Sequence, residues 1–419
     1  MLDLRSIRDD PAPVREALAR RGAAEALDAR RRELLPEVEG RRARQNQASD
    51  EIAERKRSGG DAAEVIERMR AVSAELKQLT AELETVEAKR DELAAKLPNL
   101  PHPDAPEGGE EDAVTVREVG ERPAFEFAAR DHLELALEHG WIEVEKAAVA
   151  SGSRFAYLLG DLVIVQLALI RFAVERVRAE GFEPVVPPVL VREGPLFGTG
   201  FFPGEREMIY EVPRDELFLV GTSEVSLAAL HADEIVAAEQ LPRRYAGIST
   251  CFRREAGAAG RDTRGIFRVH QFDKVEMFSF VEPAESAPEH ERILALQEQI
   301  LQALELPYRV VDIAVGDLGA SAARKFDCEA WIPSQERYRE LTSCSNTTDY
   351  QARRLGARFR RGPEAGPEFV HTLNGTAVAV GRTLIALIEN GQRADGSIEL
   401  PPALVAAGAP ELISASDRR

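Results

Sequence analysis

Residues 251–277 read CFRREAGAAGRDTRGIFRVHQFDKVEM, and this stretch decides the fold. It predicts two strands around a basic loop, and side chains two residues apart on a strand share a face. The side chains expected to share a face form two groups: Arg253 with Glu255, and Phe272 with Lys274 and Glu276. A guanidinium suits a phosphate, carboxylates accept from N–H donors, and an aromatic ring can stack on a base. The stretch therefore predicts a site for a nucleotide and an amine.

Outward from this stretch, helical and strand patterns alternate along the chain. Helices are predicted at Val163–Glu180, Ser286–Leu304 and Arg382–Asn390, and strands at Leu217–Val220, Lys274–Val281 and Tyr308–Val315. Consecutive strands around polar loops favour an antiparallel sheet with helices packed on it. The predicted class is therefore α+β.

The N-terminal part predicts an antiparallel coiled-coil hairpin. Apolar residues alternate at spacings of four and three, which is typical of a coiled coil: Val65, Met69, Val72, Leu76, Leu79, Leu83 and Val86. A more polar matching seam precedes them: Leu34, Val38, Arg41, Gln45, Ala48 and Ile52. The turn is expected at Ser58–Asp61, and the hairpin should be roughly 45 Å long. Pro36 predicts a kink in the first helix.

A proline-rich segment, residues 97–106, cannot continue a helix and predicts an extended linker. It divides the chain into an N-terminal hairpin domain, residues 1–100, and a second domain, residues 101–419.

The charge balance limits the partners of the chain. The 54 basic and 72 acidic residues give a net charge of −18, which disfavours general binding of polyanions such as DNA. Between Asp28 and Ser58 this balance is locally reversed, with nine basic residues against seven acidic ones. The hairpin is therefore a candidate for phosphate contact, although a solvated coiled-coil face would have the same pattern.

Cysteine usage and the N-terminal residues predict a cytoplasmic protein. Three cysteines without paired spacing indicate neither a disulfide framework nor a zinc site. The first residues, MLDLRSIRDDP, lack the apolar core of a signal peptide, and no run is long enough to cross a membrane.

Four clusters carry the chemistry: Thr222–Glu224, Arg253–Glu276, Arg339–Asn346 and His371–Arg382. The first is expected at the end of a strand, where Thr222 and Glu224 would share a face. Each has an ordinary structural interpretation on its own. Arg253 and Glu255, for example, could form a cross-strand ion pair, and Phe272 could be a core residue. Independent structural roles do not explain why the four clusters occur together in this order.

The order and spacing of these clusters resemble class II aminoacyl-tRNA synthetases, specifically the bacterial-type seryl-tRNA synthetase family, over essentially the whole chain. Residues 181–188 resemble motif 1, which builds the dimer interface in the family. Residues 251–277 resemble motif 2, and residues 375–390 resemble motif 3. The hairpin corresponds to the family's tRNA-binding arm. Neither class I signature, HIGH or KMSKS, is present.

The resemblance implies a class II antiparallel sheet and a homodimeric, ATP- and Mg²⁺-dependent ligase without zinc. It would form seryl-adenylate from L-serine and then charge tRNA(Ser), and tRNA(Sec) where the host has one.

Arg253 and Arg382 would be the catalytic residues. Arg253 would bridge the serine carboxylate and the α-phosphate, and Arg382 would contact the γ-phosphate. Glu255 would accept from the adenine amino group, and Phe272 would stack on the ring.

The remaining roles implied by the resemblance are grouped by ligand. Serine would be bound by Thr222, Ser223, Glu224, Arg253, Glu276, Asn374 and Thr376. Further ATP contacts would come from Arg254, Arg268, Val269, Lys274, Glu340, Leu341, Thr342 and Ser343. Mg²⁺ would be held by Glu340 and Ser343. Contacts with tRNA would come from Arg30, Arg31, Arg41, Arg42, Arg44, Arg261 and Arg264.

The two metal-binding residues impose a condition on their strand. Glu340 and Ser343 are three positions apart, so strict alternation would aim their side chains to opposite faces. We therefore expect a β-bulge or a strand end between them.

Three alternatives remain open at this point. A synthetase-like ligase that loads a carrier protein should lack the basic hairpin. A paralogue serving antibiotic resistance or biosynthesis would have nearly the same sequence. A non-catalytic binding protein should have lost the phosphate-binding arginines, yet Arg253 and Arg382 are both present.

Overall fold

The computed structural model describes the following residues: 2, 11–21, 29–57, 63–256 and 265–414. The chain divides into two compact units, one mainly of residues 2–97 and the other mainly of residues 98–419. A short helix, α1 (Pro11–Arg20), precedes the hairpin. The turn predicted at Ser58–Asp61 lies outside the described residues.

Two long helices form the hairpin of the first unit, α2 (Ala29–Arg57) and α3 (Ala63–Lys96). Their apolar contacts join the beginning of one helix to the end of the other: Leu34 and Val38 pack with Leu83, and Ala48 and Ile52 pack with Val65. This pairing is antiparallel, and the predicted coiled-coil hairpin is confirmed.

The polar members of the predicted α2 seam also face α3. The Gln45 amide donates to Ser73 Oγ at 2.8 Å, and Arg41 forms an ion pair with Glu75. Polar partners thus replace apolar packing in the middle of the hairpin. Pro36 lies inside α2, which continues on both sides of it, and the kink expected there stays a prediction.

The second unit combines short and long helices with several sheets. Its helices are α4 (His132–Glu138), α5 (Glu145–Ser151), α6 (Asp161–Ala179), α7 (Glu193–Thr199), α8 (Glu224–Ala228), α9 (Ser286–Ala303), α10 (Tyr350–Leu355), α11 (Val380–Asn390) and α12 (Pro402–Ala406). Its strands are β1 (Val114–Val119), β2 (Ile142–Glu143), β3 (Tyr157–Leu158), β4 (Glu183–Val185), β5 (Leu190–Val191), β6 (Glu211–Val212), β7 (Leu217–Leu219), β8 (Ile235–Ala237), β9 (Arg243–Phe252), β10 (Gln271–Val281), β11 (Tyr308–Asp312), β12 (Arg324–Ile332), β13 (Arg337–Asn346), β14 (Arg358–Arg360), β15 (Glu368–Phe369), β16 (His371–Ala379), β17 (Ile398–Glu399) and β18 (Leu412–Ile413).

The main sheet has the order β1-β11-β12-β13-β16-β10-β9-β4 in the described part of the chain. Neighbouring strands are antiparallel, except that β4 runs parallel to β9. The predicted α+β fold with an antiparallel sheet is confirmed.

The two faces of this sheet differ in chemistry. Val275 and Met277 of β10 belong to the main apolar core, which also contains the buried faces of α6, α9 and α11. Because side chains alternate along a strand, Lys274 and Glu276 project from the opposite face. The helices therefore cover one face of the sheet and leave polar side chains on the other.

The predicted elements agree with the observed bounds to within a few residues in most cases. The largest differences are three residues: β10 begins at Gln271 rather than Lys274, and β11 ends at Asp312 rather than Val315, where a short 3₁₀ turn, Val315–Asp317, begins. Among the described residues, no helix combines the length and the apolar character needed to cross a bilayer.

Candidate active site

A cavity of about 230 Å³ opens on the polar face of the main sheet. It brings together residues from all four clusters singled out in the sequence: Thr222, Glu224, Arg253, Glu255, Arg268, Val269, Phe272, Lys274, Glu276, Glu340, Leu341, Ser343, Asn374, Thr376 and Arg382. Three other predicted residues, Ser223, Arg254 and Thr342, do not line it. Most of the predicted ATP and serine residues therefore share one site.

Glu276 is the centre of a buried polar network in this cavity. Its carboxylate accepts from the Asn374 amide at 3.1 Å and from the Thr376 hydroxyl at 3.0 Å. Lys274 Nζ lies 2.6 Å from Glu276 Oε2 and donates to Thr222 Oγ1 at 2.7 Å. Burial of a carboxylate is tolerated only with such partners. The network holds a negative group and several hydroxyls at fixed positions.

Glu224 adds a second buried carboxylate. Its oxygen Oε1 accepts from the Gln351 amide at 2.7 Å. Burial raises the pKa of Glu224 to about 7, and the nearby charge of Glu276 acts in the same direction. The two carboxylates make this part of the cavity a candidate for an ammonium group.

The local structure around Glu224 corrects one expectation. The sequence predicted that Thr222 and Glu224 share a face at the end of a strand, but β7 ends at Leu219 and Glu224 is the first residue of α8. Ser223 is fully buried away from the cavity, and a Cβ at Gly247 would lie 2.8 Å from its hydroxyl. The turn into α8, rather than strand alternation, brings Thr222 and Glu224 to the site.

Arg253 and Glu255 also reach the cavity by a route that differs from the predicted strand. β9 ends at Phe252, and Glu255 has a φ of 50°, in the left-handed region. Arg253 Nε donates to Gly221 O at 3.2 Å, and its guanidinium lies 5.3 Å from the centre of the Phe272 ring. Glu255 accepts from Arg268 at 2.5 Å. The backbone conformation after the end of β9, rather than strand alternation, directs these two side chains into the cavity.

Arg382 stands at the beginning of α11 and faces β13. It donates to the Glu340 backbone carbonyl at 3.0 Å and lies 3.2 Å from the Glu340 carboxylate. The charge of Arg382 holds the pKa of Glu340 well below its usual range. Glu340 therefore stays ionised at neutral pH.

The bulge expected between Glu340 and Ser343 is present. Cys328 of β12 pairs with Thr342, whereas Glu329 pairs with Glu340, which leaves Leu341 as an extra residue on β13. An extra residue resets the alternation. Glu340 and Ser343 consequently line the same cavity, and this prediction is confirmed.

Sequence reasoning missed several residues of the cavity wall, notably Phe267, Lys325 and Ser345. Lys325 Nζ lies 3.7 Å from Asp327, whose pKa burial raises to about 8. A signal for this pair was available, because Lys325 and Asp327 are two positions apart and alternate with the apolar Phe326 and Cys328, so the two charged side chains should share a face. Phe267 carried no such signal. Its ring lies under Arg339 at 3.9 Å and Arg382 at 4.8 Å.

The predicted tRNA contacts whose side chains the structure describes are Arg41, Arg42 and Arg44; they belong to α2 and do not line this cavity. Arg42 and Arg44 are exposed on α2, whereas Arg41 is paired with Glu75. Arg30 and Arg31 belong to α2, but their side chains are outside the described part, as are Arg261 and Arg264 entirely. No group of three or more His, Cys, Asp or Glu residues in the described ranges could hold a metal ion by itself.

Two family descriptions match the chain. Residues 1–101 match "Seryl-tRNA synthetase N-terminal domain", and residues 209–391 match "tRNA synthetase class II core domain (G, H, P, S and T)". A serine--tRNA ligase of Acidothermus cellulolyticus is 50% identical over 411 residues, which cover 96% of this chain and 97% of the relative.

Solved structures of similar proteins extend over the same length. A seryl-tRNA synthetase of Pyrococcus horikoshii, complexed with ATP, is 40% identical with a TM-score of 0.94 and covers 100% of both chains. A cytoplasmic serine-tRNA ligase of Naegleria fowleri, in complex with AMP, is 30% identical with a TM-score of 0.88 and covers 100% of this chain and 99% of the other.

Proposed function

We propose roles for the residues of this cavity from the premise that the chain belongs to the seryl-tRNA synthetase family. It is an ATP-dependent ligase that activates serine and transfers it to tRNA. The observation that carries the assignment of roles is the convergence of two guanidinium groups, Arg253 and Arg382, and a buried carboxylate, Glu276, on one cavity.

The guanidinium end of the cavity would bind ATP. Formation of the adenylate is an in-line substitution at the α-phosphorus, in which a serine carboxylate oxygen attacks and pyrophosphate leaves. Such a reaction depends on positioning and neutralisation of charge. Arg253 would bridge the serine carboxylate and the α-phosphate, and Arg382 would contact the γ-phosphate.

The adenine would lie against Phe272, with its amino group donating to Glu255. Arg268 donates to the same carboxylate and would keep it oriented. Val269 and Leu341 line the cavity and would add apolar contact. Lys274 is already engaged by Glu276 and Thr222, which supports a position nearer the serine than the nucleotide. Arg254 and Thr342 would act only through their neighbours, since they do not line the cavity.

The carboxylate end of the cavity would bind serine. Glu276 and Glu224 would accept from the ammonium group, and Thr376 and Asn374 would contact the side-chain hydroxyl region. A site built to hydrogen-bond a hydroxyl rejects alanine, because its own polar groups would be left unpaired. Rejection of threonine would rest on the size of the pocket.

The chemistry of Glu340 and Ser343 fits Mg²⁺. Mg²⁺ prefers oxygen ligands and is usually held by one or two carboxylates together with substrate phosphates. Glu340 supplies an ionised carboxylate and Ser343 a hydroxyl, and both face the cavity because of the bulge at Leu341. When bound there, the ion would neutralise phosphate charge. That the enzyme works without zinc stays a prediction.

Transfer would follow at the same site. A terminal hydroxyl of the tRNA attacks the carbonyl carbon of seryl-adenylate, AMP leaves with the electron pair of the broken bond, and serine is esterified to the tRNA. The exposed Arg42 and Arg44 of the hairpin would contact tRNA phosphates. Arg261 and Arg264 would contact the acceptor end.

The remaining proposals concern organisation. We place the domain boundary between residues 100 and 101 and expect a homodimer with tRNA(Ser), and tRNA(Sec) where present, as its macromolecular ligand. Cys251, Cys328 and Cys344 are all buried and free, which supports a reducing cytoplasm as its location. The hairpin argues against a carrier-loading ligase, which should lack it.

Substitution of the two arginines tests the proposed site. Arg253→Ala or Arg382→Ala should reduce serine-dependent ATP–pyrophosphate exchange by on the order of a hundredfold or more, because each removes a positive charge that stabilises the phosphates in the transition state. Arg393→Ala is the matched control, since Arg393 is exposed and pairs with Glu399 away from the cavity. Exchange near the wild-type rate in either cavity variant would refute the assignment.

A further inference from the structure

His132 is a buried histidine that the roles above do not use. It lies in α4 and contacts Glu389, which is fully buried near the end of α11. Glu389 Oε1 accepts from the His132 backbone N–H at 3.0 Å and lies 3.0 Å from its Nδ1. The other oxygen of Glu389 accepts from the Ser334 N–H at 3.1 Å. The carboxylate is therefore held from two sides and fixes the imidazole ring.

The other ring nitrogen of His132 faces the segment that returns from the motif 2 loop. The Ile266 backbone N–H donates to His132 Nε2 at 3.4 Å. A backbone N–H can only donate, so Nε2 accepts and the ring proton lies on Nδ1, directed at Glu389. The two contacts require the same tautomer and support each other.

Gly265 provides a second, independent observation. Its φ is +75°, and a Cβ built there would lie 2.1 Å from His132 Nε2. Only glycine combines this backbone conformation with such a close approach. The absence of a side chain at Gly265 therefore leaves space for the His132 imidazole.

The segment held in this way supports one of the arginines of the cavity. Phe267 follows Ile266, and its ring lies under both Arg339 and Arg382. The Ile266 carbonyl is also 3.5 Å from the position of a Cβ on Gly381, the residue before Arg382. Contacts thus run without interruption from Glu389 through His132 and Phe267 to the guanidinium of Arg382.

We propose that His132 is a positioning residue for ATP binding. Its imidazole, oriented by Glu389, holds the Gly265–Phe267 segment so that Phe267 supports Arg382 in the cavity. This inference rests on the proposed role of Arg382 toward the γ-phosphate. A purely structural role would instead join α4 to α11 without affecting the nucleotide.

Two variants of His132 separate these possibilities. Asparagine can place its amide nitrogen near the position of Nδ1 and keep the contact with Glu389, but it offers no acceptor to Ile266. Glutamine can place its amide oxygen near the position of Nε2 and accept from Ile266. His139→Asn is the control, because His139 is a second buried histidine next to α4 whose Nε2 contacts Gly396 O and not the loop.

Affinity for ATP, measured by titration calorimetry of the full chain without serine, should fall about three- to tenfold in His132→Asn, the size of one ordinary hydrogen bond. The KM for serine should stay unchanged, and hydrogen exchange at the Ile266 amide should become faster. His132→Gln should restore both the affinity and the protection. His139→Asn should alter neither.

Different results would contradict the role proposed for His132 and the function proposed for the chain. If His132→Asn lowers the unfolding temperature as much as His139→Asn but leaves ATP affinity unchanged, the contact is only structural and the inference is wrong. Failure of His132→Gln to restore affinity would also overturn it, because the acceptor at Nε2 would then not be the relevant group. If the wild-type chain showed no serine-dependent exchange, the proposed function would be wrong. The ATP titration would still test the role of His132 by itself.

Discussion

Glu224 shows how a single buried residue can make the activity depend on pH. Burial raises its pKa to about 7, above the ordinary value for a glutamate, and Glu276 contributes in the same direction. Because the folded-state pKa is raised, the stability that protonation contributes is fully present at low pH and is lost as pH rises through about 7. Ionised Glu224 is therefore unfavourable for the free fold, and in the proposed site the serine ammonium group would offset this cost.

The KM for serine should accordingly rise as pH falls below about 7. Well below that pH, the KM should increase about tenfold for each further pH unit. The reason is that binding of the serine ammonium requires the ionised carboxylate. The measurement is ATP–pyrophosphate exchange across this pH range, with the KM for ATP as an internal control. Glu224→Gln should weaken serine binding and flatten the profile. A wild-type KM for serine that does not change across this range would contradict the role of Glu224.

At the residue scale, the sequence predicted which side chains share a face where strand alternation applies. Phe272, Lys274 and Glu276 lie on β10 and share a face as expected. Arg253 and Glu255 line the cavity although they follow the end of β9, so their positions depend on the turn that no periodicity describes. Phe267 was missed because its contacts with two arginines depend on how a loop folds back onto the sheet.

At the element scale, the bulge on β13 could be anticipated because the two proposed Mg²⁺ ligands, Glu340 and Ser343, had a spacing that strand alternation does not allow. The chemistry expected of these two side chains predicted an irregular strand, and the extra residue at Leu341 brings both to the same face. The start of α8 could not be anticipated in this way, since the short run from Thr222 to Glu224 fits either a strand end or a helix start. Strand periodicity is uninformative over three residues.

The hairpin is the element whose function can be separated from catalysis. Deletion of residues 28–93 behind a short linker should leave serine-dependent ATP–pyrophosphate exchange intact, because the described residues that line the cavity all belong to the second unit. The same deletion should abolish tRNA charging. The double variant Arg42→Glu, Arg44→Glu keeps the hairpin and tests its charge, since both side chains are exposed.

The charge-reversal variant should weaken binding of tRNA by the same factor whatever the nucleotide sequence of the tRNA. It should also reduce the slope of log affinity against log salt by about one for each phosphate that an arginine no longer neutralises. Filter binding at several salt concentrations measures this slope. The double variant Arg68→Glu, Arg70→Glu, on the other helix, changes the net charge by the same amount and is the control. Unaltered charging after deletion of the hairpin would show that the arm does not bind the tRNA.

At the scale of the whole molecule, the net charge of −18 and the proposed polyanionic ligand are compatible because the two features are separated along the chain. The acidic balance predicted that nucleic acid must meet a local basic surface, and exposed arginines are present on α2. The topology of the main sheet was predictable only as a class. Its strand order, with β16 between β13 and β10, depends on long-range pairing that a single sequence does not encode locally.

The proposed dimer accounts for apolar side chains that a single chain leaves exposed. Leu167 on α6 is 57% exposed and Val186, in the segment that resembles motif 1, is 81% exposed. Ile164, three residues before Leu167 on α6, is 45% exposed, so these two apolar side chains are neighbours on one helix face, and such exposed apolar strips mark surfaces for protein contact. Leu167→Arg should therefore shift the chain from dimer to monomer in sedimentation equilibrium, because a charge would be buried without a partner. Leu412→Arg is the matched control, since Leu412 is an exposed leucine on β18. A wild-type chain that sediments as a monomer at micromolar concentration, or a Leu167→Arg variant that remains dimeric, would contradict this placement of the interface.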